Sequence, residues 1–207
     1  MGKKKPTLLL VLDGWGHAAD TDWNAITKAP ADNFLKWWQE WPHALLSASG
    51  QEVGLPLGLM GNSEVGHTNI GAGRVVHQTI TRIAETIRAG KFRLNGALRG
   101  AVQAALDGNS NLHLFGLIGP GGVHASDEHY RELLALAQEM GLPGERVKVH
   151  ALLDGRDTPP TSASGFMEKL EGMLAEFGGD IASICGRYWG MDRDQRWNRT
   201  EKFWNYM

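Results

Sequence analysis

Residues 112–153, LHLFGLIGPGGVHASDEHYRELLALAQEMGLPGERVKVHALL, carry the pattern that decides the fold. A short apolar run, residues 112–118, gives way to a glycine-rich loop, then to a helical pattern, then to a second apolar run, residues 147–153. In the helical segment Tyr130, Leu133, Leu134, Ala137 and Met140 recur at three- and four-residue spacing, so they share one face. Two strands joined by a helix require a crossover, which makes them parallel and covers the sheet. The rhythm continues outward. Residues 181–185 read as a later strand and residues 7–12 and 44–48 as earlier ones, while Val76, Ile80, Ile83, Ala84 and Ile87 line another helix face. The expected class is α/β with a mainly parallel sheet. A boundary is expected near residues 71–76, after the glycine-rich NIGAGR, which gives domains 1–75 and 76–207.

The 207 residues are 42% hydrophobic, enough for a sizeable core, and the formal charge of −2 is spread without long runs of one sign. That distribution excludes the broad basic footprint of a general nucleic-acid binder. The apolar run after the opening lysines is too short for a signal peptide or a membrane span. A single cysteine, Cys185, forms no internal disulfide, and the expected compartment is the cytoplasm. The eight tryptophans, three of them in KWWQEW, read as amphipathic-helix core. The final EKFWNYM lies in a helical pattern with no stop signal and reads as a cut.

In parallel sheets ligands collect where strands end at their carboxyl termini. Here the strand ends lead into LDGWG with Asp13, GPGGVH with His124, LDGRDTPP with Arg156 and Asp157, and CGRYWGMDRDQRW with Arg187 and Arg193. Asp13 precedes glycine, so a turn aspartate and a hard oxygen ligand for a divalent metal both remain open. Ser63, in GLMGNSEVGH, reads both as a helix N-cap and as a hydroxyl beside unpaired N–H groups, where phosphate is stabilised. The surrounding G-N-S-x-x-G differs from the G-x-S-x-G of a hydrolase elbow, so a metal rather than a histidine base would have to activate the hydroxyl. The arginines suit bidentate capture of phosphate and carboxylate, and Asp154 and Asp157 bracket Arg156. Arg196 and Arg199 read equally as charges on a solvated helix face. His124 is free to act as acid, base or phosphate donor. The remaining histidines lack metal-ligand spacing and read as structural, and no nucleotide-binding glycine motif is present.

LDGWG, GLMGNSEVGHTNIGAGR, GGVH, LLDGRDTPP and GRYWGMDRDQRW, in this order, closely resemble the amino-terminal part of the cofactor-independent phosphoglycerate mutases of the alkaline phosphatase superfamily. The resemblance runs over essentially the whole chain. It implies a phosphatase-like domain holding two manganese ions and a nucleophilic serine, with a phosphoglycerate-clamping α/β transferase domain inserted in it, both incomplete here. By resemblance Asp13 is a metal ligand and Ser63 both a metal ligand and the phosphorylated serine. His124, Arg156, Asp157, Arg187 and Arg193 are the substrate-binding set. The implied reaction interconverts 3-phosphoglycerate and 2-phosphoglycerate through phosphoserine, in glycolysis and gluconeogenesis, by a monomeric enzyme with no nucleic-acid or membrane partner. Where the family usually reads S-D-G-G-V-H-S-H, this chain has G-P-G-G-V-H-A-S at 119–126. The resemblance also puts the other metal ligands beyond residue 207, so the expected chain is an inactive piece with apolar strands left unpartnered. Two alternatives stand beside it. One is a phosphoglycerate-binding remnant without turnover. The other is a different phosphatase or phosphotransferase of the superfamily, against which DGRDTPP and GRYWGMDRD argue.

Overall fold

The computed structural model describes residues 5–18 and 22–207; Lys3 and Lys4 of the opening basic run lie outside them. The chain divides into two compact units, Met1–His77 and Gln78–Met207.

Among the described residues the first unit holds three α-helices, α1 (Ala25–Lys28), α2 (Asp32–Glu40) and α3 (Ser63–Ala72). Its core is small: Val53, Leu55 and Val65 are buried, with Leu59 packed on them. Just before α3 the backbone is pinned by an isolated antiparallel bridge between Ser49 and Met60. Gly61 follows, and a Cβ there would stand 1.8 Å from the Ala48 carbonyl oxygen, so only glycine admits this approach. The side chain of Asn69 ties α3 to the rest of the unit, its amide donating to the Val53 carbonyl at 3.0 Å and its oxygen accepting from the Val76 N–H at 2.7 Å.

Two expectations fail in this unit. Residues 7–12 and 44–48 are not strands, because a strand exists only as one rail of a hydrogen-bonded ladder and neither run has a partner rail among the described residues. Their side chains remain in solvent, Leu8 at 86% and Leu46 at 91% exposure. The tryptophans are not core either. Trp37 and Trp41 of KWWQEW are exposed, and Trp38 stacks on the His43 ring at 3.9 Å instead of entering a packed interior.

The second unit begins with α4 (Thr79–Arg88), three residues later than the pattern from Val76 predicts. It continues through α5 (Gly96–Asp107), β1 (Leu112–Leu117), α6 (Asp127–Glu139), β2 (Val147–Leu153), α7 (Ala163–Phe177), β3 (Asp180–Gly186), α8 (Arg187–Gly190) and α9 (Trp197–Tyr206). Asn95 opens α5, its side-chain oxygen accepting from the N–H groups of Ala97 and Leu98. The strands form a parallel sheet in the order β1-β2-β3, with Leu114 opposite Val149 and His150 opposite Ser183 across a bulge. This is the α/β architecture that residues 112–153 predict.

Val147, Val149 and Ala151 point one way from β2, into a core with Leu134, Leu136, Leu170 and Leu174 from α6 and α7. The predicted α6 face is buried at Tyr130, Leu134 and Ala137, and Ala135 and Leu136 are buried as well. The far side of the sheet is met by α9, where Phe203 lies 5.9 Å from the Phe115 ring and the Tyr206 hydroxyl accepts from the Ile184 N–H. Outside the core, Arg93 grips Glu132 with two hydrogen bonds of 2.7 and 3.1 Å, and Arg146 donates to the Ser110 carbonyl.

Candidate functional sites

The first unit brings Asp13 and Ser63 together. α3 starts at Ser63, yet the cap is its neighbour: the Asn62 side-chain oxygen accepts from the Val65 N–H at 3.0 Å. This corrects the reading of Ser63 as N-cap. Because Asn62 caps the helix, the Ser63 hydroxyl is available, and it donates to Asp13 Oδ2 at 2.8 Å. It sits in the first turn, where backbone N–H groups are unpaired and the helix dipole favours negative charge. His67, one turn on, does not present a base to it. His67 Nδ1 lies 2.8 Å from the Ser63 carbonyl oxygen, which can only accept, so that nitrogen carries the hydrogen. The same nitrogen faces Ser63 Oγ at 3.2 Å with an N–H rather than a lone pair.

The second unit gathers the strand-end loops of β1, β2 and β3. Asp154 directly follows β2, and its Oδ1 accepts from the backbone N–H groups of Arg156 and Asp157 at 3.1 and 3.2 Å, which folds the DGRD loop around one carboxylate. Arg187 directly follows β3, and its Nη1 donates to Asp154 Oδ1 at 2.6 Å and Asp157 Oδ2 at 2.7 Å. His124, on the loop after β1, places Nε2 3.7 Å from Asp157 Oδ2. Gly121 lets the two loops close, since a Cβ there would meet Thr158 at 3.3 Å and Asp154 at 3.5 Å.

The bracketing is therefore different from the one the sequence suggests. Asp154 and Asp157 clamp Arg187, whereas Arg156 is exposed. Among the described residues the Arg156 and Arg193 guanidiniums have no hydrogen-bond or ion-pair partner, and neither do Nε and Nη2 of Arg187. The cluster thus combines a fixed carboxylate pair with Arg187, two of whose guanidinium nitrogens are unpaired; among the described residues no side-chain contact joins Arg156 or Arg193 to it.

Asp154 was not among the expected site residues, and a local signal for it existed: an aspartate at a strand end followed by glycine. Burial pushes its carboxyl pKa up, but the Arg187 hydrogen bond and the two backbone donors outweigh that, and it lies below the ordinary carboxylate value. Burial alone would lower the pKa of Arg187; the hydrogen bonds to Asp154 and Asp157 carry it above its usual value. Arg199 is not a solvated surface charge. Its guanidinium lies 3.6 Å from the centre of the Tyr188 ring and pairs at 3.3 Å with the Asp192 carboxylate, whose side chain is 3% exposed. Asp192 also accepts from the Arg196 N–H at 2.8 Å, so this group shapes the loop that carries Arg193.

The sequence model of the family described as BPG-independent PGAM N-terminus matches residues 83–207. The chain belongs to this family. It is 49% identical over 203 residues to the 2,3-bisphosphoglycerate-independent phosphoglycerate mutase of Francisella tularensis subsp. novicida, covering 98% of this chain and 39% of the relative. To the enzyme of the same name from Clostridium acetobutylicum it is 50% identical over 205 residues, 99% of this chain and 40% of the relative. A crystal structure of Leishmania mexicana phosphoglycerate mutase at low cobalt concentration superposes with a TM-score of 0.74 at 35% identity, over 94% of this chain and 37% of that one. The chain thus spans about two fifths of the length of the relatives it matches. Among the described residues no helix is long and apolar enough to cross a membrane.

Proposed function

We propose that this chain supplies the phosphoryl-accepting serine and part of the substrate clamp of an enzyme that interconverts 3-phosphoglycerate and 2-phosphoglycerate. The observation that carries the reading is the Ser63 hydroxyl at the first residue of α3, held 2.8 Å from the Asp13 carboxylate. Ser63 Oγ attacks the phosphoryl group; its P–O bond forms as the bond to the glycerate oxygen breaks, and the Ser63 proton ends on the released hydroxyl. The N–H groups of the first turn of α3 receive phosphate oxygens. Return of the phosphoryl group to the other glycerate hydroxyl regenerates serine.

Asp13 and Ser63 suit a hard divalent cation in kind, both being oxygen donors. Two donors do not complete a shell of about six, and among the described residues no three His, Cys, Asp or Glu side chains group to hold an ion. The pair is accordingly read as part of a larger shell, for which manganese is the metal the family resemblance suggests. When bound, such an ion lowers the pKa of a ligated hydroxyl and offsets phosphoryl charge.

On the substrate side, Arg187, Arg156 and Arg193 are assigned to the carboxylate and phosphate of phosphoglycerate. His124 and Asp157 are assigned to its hydroxyls, where Asp157 accepts a proton during transfer. Because the His124, Asp154, Asp157 and Arg187 cluster is assembled within Gln78–Met207, binding without turnover is the second reading.

The test joins this chain to the remainder of the Clostridium acetobutylicum relative and supplies phosphate-labelled 3-phosphoglycerate with Mn²⁺. Label is expected on Ser63 and absent from Ser63→Ala. Label retained by the alanine variant would remove Ser63 from the role.

A further inference from the structure

We propose that Asp192 is a positioning residue for the substrate: its carboxylate sets the turn between α8 and α9 so that Arg193 is presented as a free cation. The role rests on the assignment of Arg193 to phosphoglycerate.

The Asp192 carboxylate bonds to the turn and to α9. Oδ2 accepts from the N–H groups of Asp194 at 3.2 Å and Arg196 at 2.8 Å, and Oδ1 accepts from Arg199 Nη1 at 3.3 Å. The two N–H groups flank Gln195, whose φ of 59° lies in the left-handed region that a residue with a side chain rarely holds. Such a conformation persists only where its surroundings fix it, and two bonds to one oxygen do so here. The turn is tied at its other end as well. The Met191 N–H donates to the Arg187 carbonyl at 2.9 Å, and Gly190 lets α8 lie against Leu152 and Phe203, which a Cβ would meet at 3.0 and 3.2 Å. The backbone is thus held on both sides of Arg193, while the Arg193 side chain is exposed.

Starting α9 does not require this arrangement. A serine, threonine or asparagine at the cap position satisfies the first N–H groups of a helix. Arg196, at that position in α9, makes no side-chain cap hydrogen bond, and the carboxylate comes from four residues back. A carboxylate whose side chain is only 3% exposed is costly to desolvate and needs its own cation. Arg199 supplies it, itself 12% exposed and set over the Tyr188 ring. The consequence falls on Arg193, which stands between two aspartates in M-D-R-D. Asp192, drawn inward by Arg199 and two N–H groups, does not compete with an incoming carboxylate or phosphate for the Arg193 guanidinium. An arginine on a fixed backbone also loses less freedom on binding an anion than one on a loose loop.

The experiment measures kcat/KM on 3-phosphoglycerate with this chain joined to the remainder of the Clostridium acetobutylicum relative. Arg193→Ala is expected to lower it about 100-fold. Asp192→Ala removes every acceptor of the turn, whereas Asp192→Glu keeps a charge for Arg199 but carries it one methylene away from the two N–H groups. Each is expected to lower kcat/KM about tenfold in the parent and less than about twofold in the Arg193→Ala background, because a residue acting through Arg193 has nothing to position once that side chain is gone. Asp192→Glu should melt close to the parent, which separates positioning from folding. Equal losses in the two backgrounds, or full activity of Asp192→Glu, would overturn the proposal, since the carboxylate would then serve the fold alone. An unchanged kcat/KM for Arg193→Ala would instead remove Arg193 from the substrate and take the proposal with it, an outcome told apart because the Asp192 variants play no part in it. In the 207-residue chain, without turnover, Asp192→Ala is expected to speed hydrogen exchange of the Asp194 and Arg196 amides at least about tenfold. Unchanged exchange there would overturn the proposal by itself.

Discussion

Met1–His77 and Gln78–Met207 are built from similar residues yet reach different ends. The second unit buries fourteen residues in one cluster around a sheet whose strands pair within it. Among the described residues the first buries three side chains in its cluster, while the apolar runs that would make its strands remain in solvent. Apolar content is thus not what separates them; a partner for each ladder is. A strand surrounded by helices from its own unit closes its core locally, whereas one that depends on distant chain does not.

The largest expected effect tests that contrast directly. Leu136 is fully buried between α6 and the sheet, so Leu136→Ala loses transfer energy and leaves a cavity, at a cost of about 3 kcal/mol. Val53→Ala, in the small core, removes less side chain from a site that can collapse and should cost about 1 kcal/mol. Urea unfolding followed by residue-resolved NMR distinguishes the two; equal losses would erase the comparison.

Next comes the strand-end cluster. Arg187→Ala leaves the Asp154 carboxylate, whose side chain is only 5% exposed, without its cation and should destabilise the second unit by about 3 kcal/mol. Adding 3-phosphoglycerate should then shift the melting of Arg187→Ala less than that of the parent chain, by calorimetry. The pH dependence carries the same pairing. Asp154 titrates below its unfolded value of 3.8, so its stabilisation is present above that pH and is lost as pH falls through the lower folded value. Asp154→Asn is expected to flatten the acid limb of a stability profile below about pH 4. An unchanged acid limb would mean the cluster is not held by this carboxylate.

How much of this was legible depends on the range of the forces involved. The strands at 112–117, 147–153 and 180–186 and the helix between the first two are written in local periodicity, and they form because their partners are close in sequence. Residues 7–12 carry an equally good strand pattern and fail, because pattern reports burial preference and not whether a partner is present. The candidate residues of the second unit, His124, Arg156, Asp157 and Arg187, were visible as loop chemistry at strand ends. Their pairing was not: Asp154 and Asp157 flank Arg156 in sequence, but a guanidinium one or two residues away cannot fold back as readily as Arg187 arrives from the next strand. Arg199 stayed open between a surface charge and a site residue, because its partners, Asp192 and Tyr188, are set by the turn between α8 and α9.

The smallest effects belong to the start of α3, where neighbouring residues divide two roles. Asn62→Ala removes the side-chain acceptor of the Val65 N–H and should cost about 1 kcal/mol, most of it as fraying of the first turn. Ser63→Ala removes an exposed hydroxyl whose partner, Asp13, remains solvated, so the loss should stay within about 0.5 kcal/mol. The pair is measured by hydrogen exchange of the amides of Val65 and Gly66 in the two variants. If Ser63→Ala frays the helix as much as Asn62→Ala does, the hydroxyl is bound up in capping and is not free for chemistry. If only Asn62→Ala frays it, the sequence has set a structural cap beside a hydroxyl that the fold does not need, and such a group is retained for what it binds.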